Sequence, residues 1–325
     1  MNVCIVGCGL IGYKRAKALG SHKLVAVSDV DPSKARDLAA LRSGTAVVGD
    51  WREAVRRPDV DAVFVCTPHN VLSTIAQAAA DAGKHVLVEK PAARNAAELL
   101  PLVDIARRTK VTVKVGFNHR FHPAMQKARE YVDAGALGEL MFIRARYGHG
   151  GRVGYDREWR AIPEISGGGE LLDQGLHLID LSRWFLGDFV RVDGFTHTYF
   201  WNMPVDDNGF MMLRTVDDRM AWLHVSWTEW KNTFSFEIYG RRGKLHAEGL
   251  GGSYGTERLA YYQMSPQMGP PETTIHEYPG GDRSWDLEFA DFVSAIERRQ
   301  APSGTLDDAI KALGVVDILY GAKNQ

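Results

Sequence analysis

Asn2-Val3-Cys4-Ile5-Val6-Gly7-Cys8-Gly9-Leu10-Ile11-Gly12 opens the chain and decides the fold of its first half. A short apolar run of strand character meets the spacing G-x-G-x-x-G, and a helical pattern, Leu10–Leu19, follows at once. In a strand–turn–helix unit each glycine has its own task. The first makes the tight turn, the second lets backbone N–H groups approach a pyrophosphate, and the third lets helix and strand pack closely. The helix N-terminus then faces the phosphates with its positive dipole end. The stretch therefore predicts a dinucleotide site built from Gly7, Cys8, Gly9, Leu10, Ile11 and Gly12.

The next strand, Leu24-Val25-Ala26-Val27-Ser28, ends on Asp29. A carboxylate there accepts from the adenosine ribose hydroxyls and repels a 2′-phosphate. Val30, Asp31 and Pro32 follow, with no arginine, so NAD is expected over NADP. Further Val-rich runs at Val60–Cys66, His85–Val88 and Val111–Val115 alternate with helical segments at Pro32–Leu41, Val71–Gly83 and Asn95–Thr109. Apolar strands alternating with helices mean an α/β fold with a doubly wound parallel sheet, here a Rossmann domain over residues 1–120.

Beyond about Asn118–Pro123 the pattern changes. A helix is expected at Ala124–Ala134, a strand at Leu140–Tyr147, a loop rich in Gly and Arg up to Gly169, and a helix at Glu170–Leu186. From Phe189 to Tyr278 strands follow one another with turns at Val205–Asn208, Asp217–Arg219 and Arg241–Gly243. Successive strands with short turns make a large, open, mostly antiparallel sheet. Helices at Trp285–Arg298 and Asp307–Ala322 close the chain. Residues 121–325 are thus read as an α/β domain for substrate binding and oligomerisation.

Composition narrows the partners. A formal net charge of −1 over 325 residues supplies no field for nucleic acid or an anionic membrane. No apolar run is long enough to span a bilayer, and the N-terminus enters a strand without a basic leader. Cys4, Cys8 and Cys66 lack C-x-x-C spacing and read as reduced thiols of a cytoplasmic protein. His119 and His122 stand without a nearby carboxylate or cysteine in sequence, so no metal is expected.

Glu89-Lys90-Pro91 after the strand HVLV, Gly116-Phe117-Asn118-His119-Arg120-Phe121, and Gly167-Gly168-Gly169-Glu170-Leu171-Leu172-Asp173-Gln174-Gly175-Leu176-His177 come in that order after the opening glycines. With them the chain resembles the glucose–fructose oxidoreductase / inositol dehydrogenase / rhizopine-catabolism (Gfo/Idh/MocA) family from end to end. That resemblance implies NAD(P)-dependent oxidation or reduction of sugars and cyclitols. It also implies cofactor contacts at Thr67, Pro68, His69, Glu89, Lys90 and Asn118, and a substrate site reaching Asn118 and His119. Leu72 stands where the family often carries a histidine, and His69 comes early.

The residues make chemical sense by themselves. Lys90 ends a parallel strand, the edge where doubly wound sheets bind ligands. Asp173 and His177 lie four apart, so they share one face of a helix that is apolar nearly all round. His177 is expected to take a hydroxyl proton, Lys90 to stabilise charge on the oxygen, and Asp173 to hold a neighbouring hydroxyl or Lys90. Asp180 is read as structural. Arg144, Arg146, Arg152, Arg157 and Arg160 crowd one segment, read either as a solvated or subunit-interface stretch or as a lid gripping an anionic sugar. Trp159 and Trp230 are candidates to stack on a sugar face, with core packing as the alternative. Two other functions remain on this scaffold: a non-catalytic NAD/sugar sensor and an NAD-dependent glycosidase. The open sheet suggests a homodimer or homotetramer.

Overall fold

The computed structural model describes residues Met1–Ala322. The chain forms two compact units. The first comprises Met1–Phe117, Glu164–Gly167 and Trp285–Ile310, and the second Asn118–Pro163, Gly168–Ser284 and the chain from Lys311.

The first unit holds a six-stranded parallel sheet of order β3-β2-β1-β4-β5-β6. Its strands are β1 (Asn2–Val6), β2 (Lys23–Ser28), β3 (Ala46–Val47), β4 (Ala62–Val65), β5 (His85–Glu89) and β6 (Val113–Gly116). Helices α1 (Leu10–Lys17), α2 (Pro32–Ala39), α3 (Trp51–Arg56), α4 (His69–Asp81) and α5 (Leu100–Thr109) connect them. This is the doubly wound order whose switch point lies between β1 and β4. The two-residue β3 and the short α3, begun by the Asp50 carboxylate accepting from the Arg52 N–H at 2.9 Å, carry too little periodicity to be read in advance.

The chain passes from the first unit to the second after Phe117 and later returns. Residues Trp285–Ile310 belong to the first unit. Phe289 and Phe292 of α9 (Ser284–Arg298) enter the same core as Val3, Ile5, Leu19 and Phe64. Both rings meet Phe64 edge-on, at 5.6 and 6.0 Å.

The second unit is built on an eight-stranded sheet of order β14-β13-β12-β11-β7-β10-β9-β8. Its strands are β7 (Leu140–Gly148), β8 (Phe189–His197), β9 (Asn208–Thr215), β10 (Met220–Ser226), β11 (Thr233–Gly240), β12 (Gly243–Glu248), β13 (Glu257–Gln263) and β14 (Glu272–Tyr278). All pairs are antiparallel except β7 with β10. Helix α6 (Pro123–Asp133) packs on β12–β14, the one-turn α7 (Pro163–Ser166) precedes the glycine run, and α8 (Leu176–Leu186) packs on β7 and β10. The final helix is α10 (Leu306–Ala322). From Ile143 onward the buried residues Ile143, Ala145 and Tyr147 of β7 alternate with the exposed Arg144 and Arg146.

Candidate functional site

In the first unit the glycine loop has the geometry that a pyrophosphate needs. Gly7 adopts φ +96°, and a Cβ there would sit 2.5 Å from the Cys66 carbonyl. A Cβ on Gly12 would lie 2.1 Å from the Gly7 carbonyl oxygen. On Gly9 it would meet nothing within 4 Å, and no side chain caps the first turn of α1. The loop is thus closed on its protein side and open on the other, with helix N–H groups and dipole facing outward.

Asp29 completes this edge. Its carboxylate accepts from the Cys8 N–H at 2.6 Å and the Asp31 N–H at 2.8 Å, which fixes a negative charge beside the glycine loop. Thr67 and Pro68 lead into α4, and the ring of His69 is buried with Nδ1 2.8 Å from the Ser166 carbonyl oxygen. Lys90 follows β5 directly and is half-buried, and the Lys90–Pro91 bond is cis. Glu89, expected as a cofactor contact, is bonded to Arg15. Its carboxylate accepts from Arg15 Nε at 2.6 Å, inside the protein.

In the second unit the glycine run starts the helix that carries the polar residues. A Cβ on Gly168 would lie 2.3 Å from the Tyr320 hydroxyl, and one on Gly169 1.9 Å from the Asp206 carbonyl oxygen. The buried Asp206 carboxylate accepts from the N–H groups of Gly169 and Leu171 and from the Tyr320 hydroxyl, at 3.2, 2.8 and 2.9 Å. These contacts serve the orphan donors of the helix start. Its first turn, Leu171–Gly175, is a π-helical turn that runs into α8. Such wide turns concentrate at functional sites.

Glu170, Asp173, Gln174 and His177 are all buried on this otherwise apolar segment. Their spacing is one helix face. His177 is stacked on His119, with ring centroids 3.7 Å apart and planes at 23°. Tyr147 of β7 stands over both, at 5.2 Å from His119 and 6.3 Å from His177. His119 Nδ1 is 3.2 Å from Asn118 Oδ1, and Asn118 Nδ2 donates to Ser284 Oγ at 2.9 Å. Arg120 grips Asp180 of α8 through Nε at 2.8 Å and Nη2 at 2.5 Å, so the turn bearing His119 is tied to the helix bearing His177. Asp180 is therefore a positioning anion, as its structural reading anticipates.

Asp173 accepts from Arg160 Nε at 3.0 Å. The Arg160 guanidinium also stacks on Trp159, 4.5 Å from its centroid. Burial pushes the Tyr147 phenol well above its usual range, and the nearby Tyr254 and Glu170 add to it. Burial likewise takes Tyr254 up to about 12, and Gln174 Nε2 lies 3.5 Å from its hydroxyl. Both phenols therefore stay protonated donors at neutral pH.

The arginine segment divides. Arg144 and Arg146 lie on the outer face of the sheet, opposite Tyr147, and Arg144 pairs with Glu237 there. Arg152 pairs with Glu158 at 2.7 Å, and Arg157 is exposed. Only Arg160 reaches the polar stripe, and Asp173 holds it. Trp230 is 64% exposed in a left-handed conformation and meets Phe200 at 4.7 Å.

Sequence reasoning passed over Glu170, Gln174, Tyr147 and Tyr254. The first two were visible as polar residues at helical spacing with Asp173 and His177. The tyrosines arrive from distant strands and loops and leave no local signal.

Comparison with known proteins settles the family. Residues 1–117 match the model of the oxidoreductase family with NAD-binding Rossmann fold, and residues 125–246 match the GFO/IDH/MocA C-terminal domain. The chain belongs to the Gfo/Idh/MocA family. It is 30% identical over 249 residues to dTDP-3,4-didehydro-2,6-dideoxy-alpha-D-glucose 3-reductase of Streptomyces violaceoruber, covering 75% of this chain and 72% of that one. Inositol 2-dehydrogenase of Rhizobium meliloti is 27% identical, over 96% of this chain and 94% of its own. Levoglucosan dehydrogenase of Pseudarthrobacter phenanthrenivorans is 30% identical over 66% of this chain, a match spanning 59% of that protein. A solved levoglucosan dehydrogenase in complex with NADH and levoglucosan has a TM-score of 0.89 at 24% identity, covering 100% of this chain and 97% of that one, and shows the same fold. In this Gfo/Idh/MocA member, residues 1–117 are thus an NAD-binding Rossmann domain.

Proposed function

We propose that this chain is an NAD-dependent oxidoreductase moving a hydride between the nicotinamide and a secondary alcohol or ketone carbon of a neutral cyclic polyol, a sugar or cyclitol. The observation that carries the reading is the buried stripe Glu170–Asp173–Gln174–His177 in a chain whose other unit binds NAD. Carboxylate, amide and imidazole groups gathered on one face offer the mixed donors and acceptors that match a ring bearing several hydroxyls. The names of the relatives, levoglucosan dehydrogenase and inositol 2-dehydrogenase, support the same class.

Bound NAD⁺ supplies a two-electron hydride acceptor. His177 takes the hydroxyl proton as general base while the carbon loses its hydride, and the product is a ketone and a protonated imidazole. Lys90 donates a hydrogen bond to the oxygen and favours its negative character. Asp173, oriented by Arg160, accepts from an adjacent hydroxyl, with Asn118, His119 and the ring of Trp159 lining the polyol. Run in reverse, the same groups reduce a ketone.

A neutral substrate is favoured because four of the five arginines face away or are held by carboxylates, and the fifth, Arg157, is exposed. Arg144 and Arg146 face the far side of the sheet, Arg152 holds Glu158, and Arg160 holds Asp173. The test is a panel of inositols, free sugars, sugar phosphates and nucleotide sugars with NAD⁺, followed by nicotinamide absorbance. Turnover confined to anionic sugars overturns the substrate class. NADH binding with turnover of nothing overturns the enzymatic reading.

The outer sheet face supports a homo-oligomer. Phe195, Met212, Trp222 and Ile275 are exposed there at 55, 40, 43 and 54%, beside the oppositely charged Arg144, Glu237, Lys244, Glu248 and Arg258. Mixed signs and apolar rows on one face suit a second copy related by a two-fold axis. Light scattering of Trp222→Glu tests it, and an unchanged mass would send the interface elsewhere. The three thiols are unpaired, as suits a reducing compartment, and no helix among the described residues is long and apolar enough to cross a membrane.

A further inference from the structure

Under the glycine loop, the guanidinium of Arg15 on α1 has no exposed surface and lies between two carboxylates. Nε donates to Glu89 Oε1 and Nη1 faces Glu288 Oε2 of α9, both at 2.6 Å. Trp285 covers the guanidinium at 4.6 Å and the neighbouring Lys14 ammonium at 4.8 Å. We propose that Arg15 is a positioning residue that fixes the phosphate-binding loop and Lys90 relative to each other, with Glu288 as its remote anchor. The proposal deepens the function above and rests on the role given there to Lys90.

Three observations carry it. First, Arg15 stands on the helix whose N-terminus is the phosphate loop, and Glu89 is the residue before Lys90. One planar fork therefore spans both elements. Second, space has been left for it. A Cβ on Gly116 would lie 2.9 Å from Arg15 Nη2 and 3.0 Å from Glu89 Oε2, so the glycine of β6 facing Glu89 makes room for the pair. Third, stability does not explain the arrangement. Removing charged groups from water offsets most of the attraction between them, and apolar residues of equal volume commonly serve as well or better. What an apolar cluster cannot supply is fixed direction at both carboxylates. Burial drives the Glu288 carboxyl upward while Arg15 and Lys114 pull it down, consistent with a group kept in place against its desolvation.

The test uses the full-length protein with Arg15→Lys and Glu288→Gln. Each keeps volume and polarity but loses the fork or one of its charges. With circular dichroism unchanged, the NADH dissociation constant should rise about tenfold in each. In each, kcat should fall at least tenfold, while KM for the polyol at saturating NAD⁺ stays within about threefold. The double variant should be little worse than Arg15→Lys alone, because both act through one guanidinium. A brace of purely structural value would lower the melting temperature and leave NADH affinity and kcat of the folded protein unmoved, and that result overturns the proposal. If the wild-type protein turns over no polyol, the dehydrogenase reading fails, and the NADH titration still decides the fate of the loop. Should Arg15→Lys not fold, Glu288→Gln carries the decision.

Discussion

The imidazoles of His119 and His177 are stacked at 3.7 Å, and the turn that carries the first is bolted to the helix that carries the second by Arg120 and Asp180. His119 therefore braces the ring plane of His177, the group proposed to accept the proton. His177→Asn should reduce kcat by ~10²–10⁴-fold, the usual worth of a positioned proton-transfer group. His119→Phe, which keeps a stacking ring, should retain most of kcat, whereas His119→Ala should lose about tenfold. Steady-state kinetics on the best polyol decides, and equal damage from Phe and Ala would mean His119 acts through its nitrogens.

Substrate charge gives a second prediction. With Arg160 engaged by Asp173, neutral rings should exceed their phosphates in kcat/KM. Arg160→Gln should lower turnover on all substrates, because Asp173 loses its orienting partner, without changing the order among them. A selective loss on sugar phosphates would show that the guanidinium was gripping an anion, an interaction of about 1.5–3 kcal/mol.

Asp29 should both select and build. NAD⁺ should bind more tightly than NADP⁺ in parallel titrations, because a fixed carboxylate repels a 2′-phosphate. In Asp29→Ala the gap should narrow, and affinity for NAD⁺ should itself fall, since the N–H groups of Cys8 and Asp31 lose their acceptor. An unchanged preference would assign the discrimination to other residues.

A pH dependence of stability follows from the outer sheet face. Burial pushes the Glu237 carboxyl up, but Arg144, Lys244 and Tyr239 bond to its charged form and hold it at about 2, below the ordinary 4.5. A depressed folded-state value means that this contribution is complete above 4.5 and is lost as pH falls toward 2. Glu237→Gln should therefore lower the melting temperature at pH 7 and flatten its decline in acid. Parallel melting curves for the two proteins falling together below pH 4 would rule this out.

The glycine loop, the parallel sheet and the pair Asp173–His177 were legible because each is encoded within a few consecutive residues. Strand periodicity also held more than it first yields. Arg144 and Arg146 alternate with Ile143, Ala145 and Tyr147, so their place on the far face follows from a period of two, even though their crowding suggests a lid. The pairing of Arg160 with Asp173 was not legible, since an irregular loop sets it. Nor was the cluster of Glu89 with Arg15 and Glu288, residues that lie far apart along the chain. Local patterns report which residues share a face, and long-range pairing alone reports what that face meets.

The return of α9 to the first unit has a consequence for how the protein is made. Arg15 and Lys114 are wholly buried, and the carboxylates of Glu288 and Asp291, like the Ser303 carbonyl, are synthesised only after the eight-stranded sheet. A ribosome that has extruded the six strands has therefore produced a sheet in which Arg15 has Glu89 but awaits Glu288, Lys114 awaits Asp291, and the side of Phe64 awaits Phe289 and Phe292. Uncompensated charge of this kind costs several kcal/mol, comparable with the whole stability of a domain. The nucleotide-binding unit therefore completes its core only after the eight-stranded sheet that follows it has been translated.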